Sequence, residues 1–324
     1  MKAVLLTGPN TWHIAEIPTP TPAKGQVLVK MAFAPINPSD LSFLTGNYGI
    51  KKDFPVVPGL EGSGIVVASG GGFLANRLLN KRVACTAGAG NGTWAGYMVT
   101  EAGKCIDVPE TIDLRQASML FVNPLTAISF IKQAKKFGAD AIVMSAAGSA
   151  LAKMVLFHAK KSRLPLIGIV RNIAVKEALK NEGFSEIFAL SETAIFDNLK
   201  EYTKNYKRII YFDAVSGGVI PYKILNALPD HSKMVIYGRL DLNPTEMQPQ
   251  NLLFKQNTIE GYWLSKELKG KSILNVLKDI SKIKKMLKGG FETQIQAVFD
   301  LENTQKAIEV YTNNMSAGKV LLEF

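Results

Sequence analysis

From residue 140 onward, short apolar runs rich in Ile and Val alternate with helical stretches, and that alternation leaves few folds open. Residues 141–145 (AIVMS), 166–170 (LIGIV), 187–190, 208–212, 234–237 and 258–261 read as strands, with helices over 151–161 and 174–181. Parallel strands need a crossover long enough to hold a helix, so this repetition implies βαβ units in a doubly wound parallel sheet. Residues 1–122 have a different texture. Strands over 27–31, 63–68 and 82–84 are separated by Gly and Pro, which suits a barrel-like all-β domain. The chain turns helical over 114–136, around Asn123-Pro124. After residue 267 come a basic helix, an extended run over 294–300, a helix near 304–311 and a closing strand over 319–324. We read this tail as rejoining the first domain. The expected division is 1–122 with 268–324, and 123–267, which suits a 324-residue chain.

Composition removes several function classes. Hydrophobic residues make up 47% and charged residues 20%, an ordinary balance for a globular enzyme or binding protein. No apolar run reaches the ~18 residues of a membrane span, and the opening MKAVLLTG reads as a strand and turn rather than a leader, so a cytoplasmic protein is expected. Cys85 and Cys105 are too few for a disulfide framework and fit a reducing compartment. The formal charge of +11 is densest at 278–288 (KDISKIKKMLK), where Ile280, Ile283, Met286 and Leu287 fall at helical spacing. That pattern is an amphipathic helix with a solvated basic face, so no nucleic acid partner is expected. The positive balance also suits phosphorylated cofactors and acidic carriers.

The strand AIVMS runs into Ala146-Ala147-Gly148-Ser149-Ala150-Leu151-Ala152. Small residues let the backbone approach a pyrophosphate, and a helix N-terminus favours its charge. The G-x-G-x-x-G fingerprint is absent, with Ala in two of its places. The second strand, LIGIV, ends in Arg171-Asn172 instead of the acidic residue that would bind ribose hydroxyls. An acidic group would repel a 2′-phosphate, whereas a guanidinium fork matches one, so the residues point to NADPH.

Residues 34–49 read APINPSDLSFLTGNYG, a loop punctuated by Gly and Pro, and 54–64 read FPVVPGLEGSG. Further along stand Gly92-Thr93-Trp94, Val122-Asn123-Pro124-x-Thr126-Ala127, Tyr237-Gly238, and Leu253-Phe254-Lys255 followed by Gly261-Tyr262-Trp263-Leu264-Ser265. Nearly end to end, the chain resembles the zinc-independent medium-chain dehydrogenases/reductases, above all mitochondrial-type 2-enoyl thioester reductases and the quinone oxidoreductases. The resemblance implies an α/β protein: a GroES-like β-barrel catalytic domain plus a Rossmann domain holding NADPH. In zinc-bearing relatives a Cys stands at the position of Asn37 and a His at that of Leu60. Leu cannot ligate, Glu61 alone is no site, and His13, His158 and His231 are scattered, so no metal is expected.

Without zinc, the carbonyl of an enoyl or quinone acceptor must be polarised by hydrogen bonds while hydride arrives and negative charge moves to oxygen. The resemblance gives that role to Tyr48, whose phenol is protonated near neutrality, with Asn37 and Asp40 lining the nicotinamide pocket. Turn chemistry in N-P-S-D also accounts for both polar residues. By matching position, cofactor contacts fall to Asn123, Thr126, Gly148, Ser149, Ala150, Leu151, Arg171, Asn172, Tyr237, Gly238, Arg239, Leu240, Tyr262, Trp263, Leu264 and Lys319. Where the family often has a second Arg, this chain has Ile173, for which Lys176 or Lys319 would have to compensate. The first reading is an NADPH-dependent reductase of activated C=C bonds, acting on a 2-enoyl thioester of CoA or acyl carrier protein in a cleft between the domains. An NADPH:quinone oxidoreductase is the alternative. A non-enzymatic NADPH-binding redox sensor or an RNA-binding relative is the third reading. The family habit implies a homodimer, for which residues 258–261 offer a pairing strand.

Overall fold

A computed structural model describes residues 1–271 and 273–324. Along the chain come β1 (Lys2–Gly8), β2 (Thr11–Glu16), β3 (Gln26–Pro35), α1 (Pro38–Leu44), β4 (Glu61–Ser69), α2 (Phe73–Leu78), β5 (Arg82–Thr86), β6 (Tyr97–Glu101), β7 (Cys105–Asp107) and α3 (Leu114–Ala117). Helix α4 (Val122–Phe137) leads into β8 (Ala141–Met144), α5 (Ala150–Ser162), β9 (Leu166–Val170), α6 (Lys176–Glu182), β10 (Glu186–Ala189), α7 (Ile195–Thr203), β11 (Ile209–Asp213), α8 (Ile220–Ala227), β12 (Lys233–Ile236), α9 (Pro249–Lys255), β13 (Thr258–Gly261) and α10 (Leu264–Lys269). The chain closes with α11 (Ile273–Lys288), β14 (Ile295–Asp300), α12 (Thr304–Asn313) and β15 (Lys319–Glu323). It divides into two units: Met1–Pro124 with Leu277–Phe324, and Leu125–Val276. Both boundaries lie a little later in the chain than the sequence reading placed them.

In the first unit β3 is the organising strand. It is buried along most of its length because it pairs antiparallel with β4, with β6 over its first half and with β15 over its end. The sheet runs β14-β15-β3-β4-β5-β7, with β6 also on β3. Gly64 permits the tight approach of β4, since a Cβ there would lie 2.1 Å from the Lys30 carbonyl oxygen. A core of Leu6, Ile36, Val57, Trp94 and Leu322 closes the unit on one side.

The second unit holds a parallel sheet in the order β10-β9-β8-β11-β12-β13. Counted within the unit this is strand order 3-2-1-4-5-6, the doubly wound dinucleotide-binding arrangement, with its switch point between β8 and β11. Strands β8, β9 and β11 are buried at every position, as expected for parallel strands covered on both faces.

One expectation is corrected. Residues 34–49 are not a loop throughout, because α1 occupies Pro38–Leu44. Asn37 is its N-cap, Pro38 supplies a preset φ at the first position, and Asp40 accepts a hydrogen bond from the Asn37 N–H at 2.9 Å. The residues that looked like turn chemistry are helix-start chemistry.

Candidate active site and cofactor edge

In the first unit, four polar residues meet in the interior: Asn37, Asp40, Glu61 and Lys319, each at most 4% exposed. Strand β15 brings the Lys319 ammonium to the Asn37 side-chain oxygen. The Asn37 amide donates to Glu61 Oε1 at 3.1 Å. Glu61 Oε2 accepts the backbone N–H groups of Phe121 and Val122 at 3.1 and 2.9 Å. Asp40 Oδ1 accepts the Leu60 N–H at 3.0 Å. Burial dominates the titration of all three ionisable groups. It raises Asp40 to about 7, with the Glu61 charge adding to the rise and Lys319 opposing it. It raises Glu61, against the attraction of Lys319, and lowers Lys319, against the attraction of Glu61 and Asp40. A single cation compensates one carboxylate. Glu61, with three donors aimed at it, is the group suited to stay ionised, and Asp40 is the one that titrates near neutrality.

Tyr48 follows α1 after a turn at Gly46, whose φ is +73°, and lies half-buried against the core that contains Ile36, Phe43 and Leu44. A pocket in this unit is lined by Phe43, Ile50, Val57, Leu60 and Lys52. The position where zinc-bearing relatives carry a His is thus one of its apolar walls. Among the described residues, no group of three or more His, Cys, Asp or Glu is placed to hold a metal. The Gly92-Thr93-Trp94 motif explains itself here. Residue 92 must be Gly because a Cβ would meet the Pro58 carbonyl oxygen at 2.2 Å. Its N–H donates to the Val57 carbonyl at 2.8 Å, and Thr93 Oγ1 donates to the Glu61 carbonyl at 3.0 Å.

In the second unit, the cofactor residues inferred from sequence collect at the C-terminal ends of parallel strands: Gly148, Ser149, Ala150 and Leu151 after β8, Arg171 and Asn172 after β9, Tyr237–Leu240 after β12, and Tyr262, Trp263 and Leu264 after β13. The turn after β8 works without the glycine fingerprint because Ala146 itself adopts the left-handed conformation, φ +51°. Ser149 caps α5, accepting the Ala152 N–H at 3.2 Å. Gly168 of β9 makes room for the turn, since a Cβ there would lie 2.7 Å from the Ala147 Cβ.

Arg171 is exposed and has no carboxylate partner among the described residues. The Asn172 side chain accepts the Ala174 N–H at 3.0 Å and caps a short 3-10 turn. Lys176 is paired with Glu192 at 2.7 Å, and Lys319 is buried in the first unit. Neither lysine is therefore presented to a phosphate in place of the missing second Arg. Arg239 is exposed and donates to the Leu242 carbonyl at 2.9 Å. Tyr237 and Tyr262 stand edge-on to Phe130 at 4.9 and 5.1 Å, and Phe130 stacks on Phe212 at 3.9 Å. Burial pushes the Tyr262 phenol up to about 12, with the Ser129 and Thr126 hydroxyls beside it, and drives Tyr237 higher still. Thr126 itself is buried on α4, whereas Asn123, half-buried in the first turn of that helix, belongs to the first unit.

Sequence reasoning missed Asp213. It is fully buried at the end of β11, directly across the switch point from Ser145. One oxygen accepts from Ser145 Oγ at 2.8 Å and Tyr211 Oη at 2.7 Å, and the other from the Ser216 N–H at 2.8 Å. Ser145 Oγ in turn accepts the Ala214 N–H at 2.8 Å, so a single carboxylate ties the two loops that flank the crevice. The available signal was an Asp closing an otherwise apolar strand, IIYFD, before small residues.

This architecture matches known proteins. Residues 23–110 match the alcohol dehydrogenase GroES-like domain family. The chain is 32% identical to a Mesorhizobium loti protein assigned as an NADPH:quinone reductase, covering 100% of this chain and 98% of that one with a TM-score of 0.91. It is 31% identical over 244 residues to the bovine (Bos taurus) mitochondrial enoyl-[acyl-carrier-protein] reductase, an alignment that takes in 74% of this chain and 65% of the bovine protein. A mutant form of enoyl thioester reductase from Candida tropicalis shares the fold, with a TM-score of 0.81 at 21% identity over 100% of this chain and 99% of that one. The chain belongs to the zinc-independent medium-chain dehydrogenase/reductase superfamily.

Proposed function

We propose that the protein uses NADPH to reduce an activated C=C bond, most fittingly that of a 2-enoyl thioester. The observation that carries this reading is the coexistence of two sites in one chain. One is a dinucleotide-type sheet whose matched residues share its C-terminal edge, and the other is a unit that offers a phenol and, among the described residues, no group of three or more metal-ligating side chains. The residues fit the cofactor. Small side chains and the capped N-terminus of α5 suit a pyrophosphate, and an exposed Arg171, with no carboxylate partner among the described residues, suits a 2′-phosphate. NADPH, when bound, supplies the hydride. Tyr48 donates a hydrogen bond to the thioester carbonyl oxygen as negative charge develops there, and holds the proton that the enolate then takes. Asn37, held by Lys319 and Glu61, keeps a fixed amide at this site.

A quinone acceptor is the second reading, favoured by the full-length match to the M. loti protein. An acyl carrier protein as thioester carrier, a homodimeric assembly and a cytoplasmic location belong to the same proposal. The location is supported by two free thiols and, among the described residues, by no helix long and apolar enough to cross a membrane. The test is NADPH oxidation, followed optically, with crotonyl-CoA and with a quinone, for wild type and Tyr48→Phe. Loss of a general acid typically lowers the rate by about 100-fold or more, so that fall is expected in kcat/KM on crotonyl-CoA. Quinone turnover alone, indifferent to the substitution, would leave the second reading standing.

A further inference from the structure

The pocket of the first unit holds a charge that the proposed chemistry does not use. Its walls include Phe43, Ile50, Val57 and Leu60, all apolar, and Lys52 lies among them on the segment that carries Tyr48. The Lys52 ammonium donates to the backbone carbonyls of Gly88, at 3.5 Å, and Gly90. No carboxylate pairs with it among the described residues. The charged group that acts on it is Lys104, which repels it and is itself paired with Glu101 Oε2 at 2.8 Å. Burial, more than that repulsion, lowers its pKa, so the charge stands partly desolvated with only neutral dipoles to stabilise it. A partly buried cation facing neutral dipoles is relieved by an anionic occupant.

We propose that Lys52 makes this pocket selective for an acceptor that carries an anionic oxygen group, so that it is a specificity-determining residue of the reductase. This rests on the pocket being the acceptor site of the proposed reaction. The anion has two possible sources in a thioester: the phosphates on the thiol side, or a carboxylate on the acyl side. Both present oxygens that accept a charge-assisted hydrogen bond from an ammonium. Lys52→Met keeps the length and apolar stem of the side chain and removes the charge, and Lys52→Arg restores it.

The experiment compares kcat/KM for matched acceptors in wild type, K52M and K52R: crotonyl-N-acetylcysteamine, which is neutral; crotonyl-CoA, with its anion on the thiol side; and the fumaric monothioester of N-acetylcysteamine, with its anion on the acyl side. Naphthoquinone and its sulfonate form a second neutral and anionic pair. The expected result is a fall of roughly tenfold in the anionic-to-neutral ratio for K52M, recovered in K52R, because a charge-assisted contact is lost and regained. The thioester that shows the fall identifies the source of the anion. General structural damage lowers both members of a pair and leaves their ratio intact. Ratios that stay unchanged in K52M overturn the proposal. If only quinones turn over, the thioester reading fails by itself and the sulfonate pair still decides Lys52. If nothing turns over, calorimetric titration of CoA into NADPH-loaded wild type and K52M decides it, and equal affinities sink the proposal.

Discussion

Arg171 follows a strand buried along its whole length, so the chain first meets solvent at this residue. That placement, and not its charge alone, makes it the candidate for the 2′-phosphate of NADPH. With Lys176 paired to Glu192 and Lys319 buried, neither lysine is offered as a substitute for Arg171. Arg171→Ala should raise KM for NADPH by roughly tenfold or more, since a charge-assisted phosphate contact is lost, while KM for NADH moves little. Steady-state kinetics with both nucleotides checks this. Equal losses on the two would show that Arg171 does not face the phosphate. Its counterpart at the switch point, Asp213, illustrates the opposite lesson. A strand-end Asp in the sequence says nothing about which hydroxyls surround it: Tyr211 is two residues back on the same strand, but Ser145 reaches it from the end of β8.

At the scale of elements, the turn after β8 is the informative one. Ala146 occupies a left-handed conformation that costs an L-residue roughly 1–2 kcal/mol, and the local Ser149 N-cap and the packing of Ala147 over Gly168 hold it there. Ala146→Gly relieves that strain but frees the unfolded chain, so a small net gain of up to about 1 kcal/mol is expected. Ala146→Val crowds a β-branched side chain into the same conformation and should destabilise by more than about 1 kcal/mol. Urea unfolding of the two variants distinguishes this account, and similar losses in both would refute it. The elements themselves were unevenly legible. The strands of the parallel sheet announced themselves because burial on both faces makes them continuous apolar runs, as in AIVM and LIGIV. Helix α1 was hidden because Asn, Pro, Ser and Asp signal both turns and helix starts, and only seven residues follow. Strand β2 was hidden because it pairs with β1 alone and shows no buried alternation. In the candidate site, Asn37 and Asp40 were singled out by the family resemblance, and both lie in the buried polar cluster of the first unit. The ammonium that braces Asn37 comes from Lys319, near the far end of the chain, and no local pattern connects them.

For the molecule as a whole, the net charge of +11 conceals an interior where charge is scarce and finely balanced. Helix α11 shows the outer side of this: it buries Ile283 and Met286 and leaves most of its lysines exposed. The inner side is Asp40, which faces Glu61 from β4, Lys319 from β15 and Tyr311 from α12. Its carboxyl holds a proton up to about pH 7, whereas in the unfolded chain it would release it near the ordinary carboxylate value of 3.8. Between those values the folded state binds more protons than the unfolded one. Stability from this group is therefore fully present below the unfolded value and is lost as pH rises through about 7. Glu61, also raised, acts in the same direction, and Lys319, lowered, acts oppositely toward alkaline pH. Surface carboxylates held low by lysines, such as Glu192 and Glu302, change ionisation only on the acid side of this window. Unfolding free energy should consequently fall by on the order of a few kcal/mol between pH 5 and pH 8. Asp40→Asn removes the titrating proton while keeping the shape of the side chain, so its stability should vary much less over the same interval, even if it is lower at pH 5 because an amide accepts fewer hydrogen bonds. Denaturant unfolding of both proteins at several pH values is the measurement. Parallel curves for the two would show that the buried proton does not reside on Asp40.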